Sequence, residues 1–195
     1  MFQFLGPGSS SHYYTQGTFY FDKGDYRNAI ANYNKAIELD PNDIISYNNR
    51  GLSYIYLGDY DRGIADCNKA MELNPSYADA YINRGIAYGF KGDYDKAIAD
   101  FNRAITLNPN ESFSFYNRAI TYESLGNYEY ALGDYDKAIE LHPEYIEAYI
   151  NRGLLHESLG HTSDAIKDFE KVLEISTDPD LRQKVENELK KLNGQ

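Results

Sequence analysis

The chain has 195 residues, a formal net charge of −11 from 30 acidic and 19 basic residues, and 42% hydrophobic content. No apolar run is long enough to span a bilayer, so membrane insertion is not expected, and without a basic run neither is nucleic-acid binding. The single cysteine, Cys67, rules out an internal disulfide and offers no metal cluster, which leans the expected location to the cytoplasm.

Residues 1–9 stand apart as an N-terminal tail or cloning remnant. The run Gly6-Pro7-Gly8-Ser9 reads as a flexible joint, and the stretch is too short and lacks the basic start of a signal peptide. Phe2, Phe4 and Leu5 make it sticky.

From Ser10 the sequence repeats every 34 residues, in units 10–43, 44–77, 78–111, 112–145 and 146–179. Such a period marks a helical repeat array. In the central unit Tyr81, Gly85 and Tyr88 occupy positions 4, 8 and 11, while Ala97, Phe101 and Ala104 occupy positions 20, 24 and 27. Steps of three and four place each trio on one helical face, so each unit reads as helix A, a turn and helix B. Gly24, Gly58, Gly92, Gly126 and Gly160 end the A helices, where a left-handed residue is least strained as glycine. Asp25, Asp59, Asp93 and Asn127 follow as N-caps of the B helices. The fifth unit reads His161-Thr162-Ser163 there, so Thr162 or Ser163 is the expected cap. Pro41, Pro75, Pro109 and Pro143 close four units; the fifth has Thr177, with its proline displaced to Pro179. Residues 180–195 then read as a capping helix with one apolar stripe, Leu181, Val185, Leu189 and Leu192.

With those residues in view the chain resembles the tetratricopeptide repeat (TPR) family, over about nine-tenths of its length. The resemblance implies an all-α fold, a right-handed superhelical solenoid of antiparallel helix pairs. It also implies that the A helices line a concave groove that receives peptides.

No catalytic constellation stands out, and neither an enzyme activity nor a cofactor or metal is expected. His12, His142, His156 and His161 show no ligand spacing, so each is expected in a loop or packing role. Gly6-Pro7-Gly8 follows no strand and is no phosphate loop. Cys67 falls at position 24, where the other units carry Tyr33, Phe101, Tyr135 and Phe169, and is expected as a buried core thiol.

Two constellations recur with the period. Arg50, Arg84, Arg118 and Arg152 at position 7 are matched by Asp66, Asp100, Asp134 and Asp168 at position 23. Unit one lacks both, with Gln16 and Asn32, which favours pairing inside a hairpin over pairing with the preceding unit's aspartate. The second is Asn49, Asn83, Asn117 and Asn151 at position 6. They share a helical stripe with Leu52, Ile86, Ile120 and Leu154 at position 9 and with Tyr56 and Phe90 at position 13; Tyr116 and Ile150 adjoin it at position 5. Either this stripe lines the groove, with amides holding an extended backbone, or its apolar residues pack neighbouring A helices and the asparagines bond to backbone.

The expected function is therefore a non-catalytic protein-interaction scaffold that takes a peptide segment or helix of a partner in its groove. Asp79, Glu123, Glu147 and Glu157 flank the stripe, and positions 2, 5, 6 and 9 hold no lysine or arginine, so the expected partner is neutral to basic. The alternative is a self-assembling element that forms homo-oligomers through its uncapped first repeat and the Phe2–Leu5 tail.

Overall fold

The computed structural model describes residues 8–194, which form eleven helices and no strand. Phe2, Phe4 and Leu5 lie outside the described residues. The chain divides into two compact units, Met1–Pro109 and Asn110–Gln195.

The first unit holds three helix pairs: α1 (Ser10–Asp22) with α2 (Tyr26–Leu39), α3 (Ile44–Tyr56) with α4 (Tyr60–Leu73), and α5 (Ala78–Lys91) with α6 (Tyr94–Leu107). Each pair meets where a small residue of helix A admits a large one of helix B. A Cβ on Gly85 would come within 2.8 Å of the Phe101 ring, so glycine lets that ring sink between the helices. The second repeat solves the same problem with smaller parts. Cys67 replaces the ring and Gly63 replaces the alanine found elsewhere at position 20, and buried Ile55 fills the vacated space. A Cβ on Gly63 would lie 2.6 Å from Ile55 Cγ1. Cys67 is a buried core thiol, and burial pushes it up to about 12.

The second unit holds α7 (Ser112–Ser124) with α8 (Tyr128–Leu141), α9 (Ile146–Ser158) with α10 (Thr162–Ile175), and α11 (Pro179–Leu192). Asp178 caps α11 by accepting from the Asp180 and Leu181 amides, with Pro179 in the first turn, where its missing N–H is not needed. Val185 is buried against Phe169 and Val172, flanked by Leu181, Leu189 and Leu192, so α11 covers the last repeat with its one apolar stripe.

All five A–B turns pass through a glycine at φ between 72° and 79°. The caps that follow are less uniform than expected. Asp25 and Asp59 accept from the amides of Asn28 and Arg62, whereas Asp93 and Asn127 make no side-chain cap. In the fifth repeat the capping position belongs to His161; Thr162 and Ser163 already lie inside α10, because its helical turn begins directly after Gly160.

The position-7 arginines join helices. Arg50, Arg84, Arg118 and Arg152 each donate Nε and Nη2 to both oxygens of the position-23 aspartate in the same repeat, at 2.5–2.9 Å. Pairing is thus within the hairpin. The third edge reaches the preceding B helix: Arg50 Nη1 donates to Asn34 at 2.7 Å and Arg84 Nη1 to Asn68 at 2.6 Å, while Arg152 Nη1 takes Asp136. Asp100 is buried, its side chain 7% exposed. Its hydrogen bonds hold Arg84 above the usual arginine range, against the burial that pushes the guanidinium down.

Removing Arg84 therefore strands a buried carboxylate. Arg84→Ala is expected to lower stability by about 3–5 kcal/mol, read as a shifted urea midpoint. Arg84→Lys should recover only part of it, since an ammonium cannot form the two-pronged contact. An unchanged midpoint in Arg84→Ala would contradict the pairing.

Candidate functional site

In the first unit the position-9 and position-13 residues of α3 and α5 share a face. Leu52 and Ile86 are half-buried, while Tyr56 and Phe90 stand 59% and 65% exposed. Their exposure is not idle. Each lies on the first residue of the preceding B helix: Tyr56 stacks on Tyr26 with centroids 4.9 Å apart and planes 7° from parallel, and Phe90 on Tyr60 at 5.5 Å and 13°. Phe21 meets both Tyr26 and Tyr56 edge-on. The result is two aromatic rungs, Tyr26–Tyr56 and Tyr60–Phe90, whose outer rings are stacked on one side and exposed elsewhere. Beside the Tyr60–Phe90 rung lies a shallow hollow of about 300 Å³, lined by Leu57, Gly58, Asp59, Tyr60, Asp61 and Lys91. Lys91 is ion-paired to Asp61.

The asparagines do not form a uniform ladder. Asn83, expected on the open face, is only 6% exposed, and its Nδ2 donates to Asn48 Oδ1 at 2.9 Å. Asn48 donates in turn to Asn49 at 3.3 Å, so these amides tie α3 to α5. Sequence reasoning missed Asn48; it sits at position 5, where other units carry tyrosine or isoleucine. A polar residue at an apolar position was the available signal.

The second unit presents Tyr116, Asn117 and Ile120 from α7 with Ile150, Asn151 and Leu154 from α9. Ile120 and Leu154 are exposed; the other four are half-buried. Asn151 Nδ2 donates to the Tyr116 hydroxyl at 3.0 Å, and Asn117 Nδ2 donates to the Phe113 carbonyl one turn back at 2.7 Å. Tyr116 packs against Tyr145 at 4.9 Å, and exposed Phe113 stacks at 6.5 Å. Phe113, at position 2, belongs to the same stripe and was not singled out from the sequence. The Tyr135 hydroxyl donates to Glu123 at 2.9 Å. Burial first, then nearby carboxylates, raise Tyr116 and Tyr135 above the ordinary phenol range, and burial, then Tyr116 and Glu147, do the same for Tyr145. Glu147 is exposed and Glu157 half-buried, which leaves an acidic rim.

Two of the four histidines meet at the last A–B turn. His156 at the end of α9 and His161 ahead of α10 approach across the Gly160 turn, Nδ1 to Nδ1 at 3.4 Å. Five residues separate them, a spacing without significance on one helix, and only the reversal of the chain brings them together. Among the described residues no three His, Cys, Asp or Glu side chains gather as a metal site, and no helix is long and apolar enough to cross a membrane.

The asparagines' different roles are separable by stability. Asn83→Ala leaves Asn48 without its buried donor and is expected to cost about 1–3 kcal/mol. Asn117→Ala, on the exposed side of α7, should stay within about 0.5 kcal/mol. Equal urea midpoints for the two variants would refute this division.

Residues 17–58 match a family model described as TPR repeat. Residues 44–77, 78–111 and 112–145 match one described as tetratricopeptide repeat, and residues 146–179 match a second model of that description. No curated protein sequence matches the chain. Among solved structures, one of MamA is 32% identical, covering 81% of this chain and 92% of that one, with a TM-score of 0.68. TTC0263, a TPR protein of Thermus thermophilus, is 20% identical over 91% of this chain and 97% of its own, with a TM-score of 0.81, a likeness of fold alone. The first TPR of Spaghetti (RPAP3), bound to the HSP90 peptide SRMEEVD, is 29% identical over 62% of this chain and 99% of its own, with a TM-score of 0.57.

Proposed function

This chain belongs to the tetratricopeptide repeat family, and from that premise we propose that it is a non-catalytic interaction scaffold that holds a partner's segment on the A-helix faces. The observation that carries the reading is the exposure of Tyr56 and Phe90 on the A helices of the first unit, and of Ile120 and Leu154 on those of the second, each helix burying its other side. Scattered apolar residues need no partner, but rings and aliphatic chains repeated on one face provide the anchors that a bound segment uses. The proposed contact residues are Leu52, Tyr56, Ile86 and Phe90 in the first unit, and Tyr116, Asn117, Ile120, Ile150, Asn151 and Leu154 in the second. Asn49 contributes at the edge, while Asn83 acts by holding α3 and α5 in register. Because the amides are largely engaged within the protein, apolar contacts dominate, as for a helix or an apolar-anchored peptide.

That a similar TPR structure is bound to a peptide supports a peptide as ligand class. Its acidic peptide is a poor match to this chain. The inner A-helix positions carry no cation, the position-7 arginines are occupied by aspartates, and Lys91 is taken by Asp61. Glu123, Glu147 and Glu157 favour a neutral or basic segment, whose association weakens with salt.

A partner captured from native lysate should bind Phe90→Ala or Ile120→Ala at least about tenfold more weakly than the parent by calorimetry. Asn117→Ala should change affinity less than about threefold. Folded variants that all bind like the parent would move the site off this face. The peptide SRMEEVD should not bind at micromolar concentration, and binding that depends on its terminal carboxylate would overturn the charge argument.

Self-assembly is the second reading, and one observation favours it: Phe19 stands largely exposed on α1, in the first repeat. Light scattering decides it, with an oligomeric mass that falls to that of one chain in Phe19→Ala or after truncation to Ser9.

A further inference from the structure

In repeats two and three, positions 11, 16 and 19 meet at the A–B turn. Repeats two and three fill them with Tyr54, Asp59 and Arg62, and with Tyr88, Asp93 and Lys96. In both, the carboxylate accepts from the cation, at 2.6 Å from Arg62 and 2.8 Å from Lys96. The cation also lies over the ring, 4.4 Å and 5.1 Å from its centroid. In the fifth repeat the same three positions hold His156, His161 and Asp164. Ring, carboxylate and cation have become imidazole, imidazole and carboxylate together.

The geometry of the exchange is specific. The two Nδ1 atoms face each other at 3.4 Å, with ring centroids 5.6 Å apart. Zinc–imidazole bonds of about 2.0–2.1 Å drawn from both atoms would enclose an angle of roughly 110° at the metal, close to tetrahedral. Asp164 lies one helical turn beyond and accepts from Lys167 at 2.7 Å. That hydrogen bond from Lys167 holds its carboxyl below the usual carboxylate range. His161 is exposed and His156 half-buried, which leaves the nitrogens approachable.

We propose that His156 and His161 chelate a divalent transition-metal ion at the A–B turn of the fifth repeat, with Asp164 as the negative group beside it. Two imidazole donors select zinc, nickel or copper over magnesium and calcium, which take oxygen. Two protein ligands leave the remaining positions to water or to a donor from a bound partner. The ion spans the end of α9 and the start of α10, and binding to the folded chain alone raises its stability.

The test uses the full chain stripped of metal by a chelator and titrated separately with zinc, nickel and magnesium chlorides. Calorimetry should give one zinc or nickel ion per chain and no magnesium, with a Tm that rises with zinc concentration. His156→Tyr combined with His161→Asn gives positions 11 and 16 the residues of repeat four, Tyr122 and Asn127, and should keep the parent's helicity while binding zinc at least about tenfold more weakly. His142→Asn should bind as the parent does. In proton–nitrogen spectra, zinc should shift Nδ1 of His156 and His161. No uptake by the parent, equal uptake by the double variant, or uptake lost in His142→Asn each overturns the proposal; the first of these leaves the pair as a polar contact across the turn.

Discussion

A planar guanidinium can satisfy three partners only if they lie in one plane around it, and this requirement organises the helix pairs. Arg50 holds both oxygens of Asp66 and reaches back to Asn34; Arg84 repeats the arrangement with Asp100 and Asn68. Each of these arginines spans three helices. Half-buried and stacked along position-4 rings such as Tyr47 and Tyr81, they adjust little without losing bonds. A neutral residue such as Gln16 of repeat one leaves resistance to sliding to packing alone. The paired charge does not, because a slide of one turn leaves a carboxylate buried without its donors.

Packing inside each hairpin does not require the arginine–aspartate pair, since repeat one keeps Gly17 beneath Tyr33 with Gln16 and Asn32 in its place. Once A and B helices are held level, their closest approach falls at position 8 against position 24, and it accepts either a glycine beneath a ring or smaller residues filled in from elsewhere. Gly85 under Phe101 takes the first route. Ala119 with Tyr135 shows that one methyl group is accommodated, and Cys67 with Gly63 and Ile55 shows that the position needs volume rather than aromaticity. Core thiol and core ring exchange only with a compensating neighbour such as Ile55, because a packed interior is sensitive to volume and shape.

The candidate faces are what the A helices leave over after this packing. Tyr56 and Phe90 keep one side on the rungs with Tyr26 and Tyr60, so they are ordered before any partner arrives, and less side-chain entropy remains to be lost on binding. Tyr116 is held by Asn151 in the same way. Ordered apolar surface with an acidic rim suits a scaffold. The fifth repeat adds a different feature, since its turn exchanges the aromatic–carboxylate–cation cluster for imidazoles.

The amino-acid sequence alone determined the repeat, the helix pairs, the left-handed glycines and the capping helix, because each depends on spacing along one chain: 34 residues between units, three or four between residues of a face. It also located the arginine–aspartate pairs, through their joint absence at Gln16 and Asn32. Tertiary structure decided whatever depends on where a side chain ends. Asn83 and Asn117 occupy the same repeat position and are chemically identical, yet one is buried against Asn48 while the other bonds its own helix. The difference lies in the neighbour at position 5, an amide in one repeat and an aromatic or aliphatic group in others. His156 and His161 carry no legible spacing, since the distance between them is set by the chain reversal at Gly160 and not by a helical period.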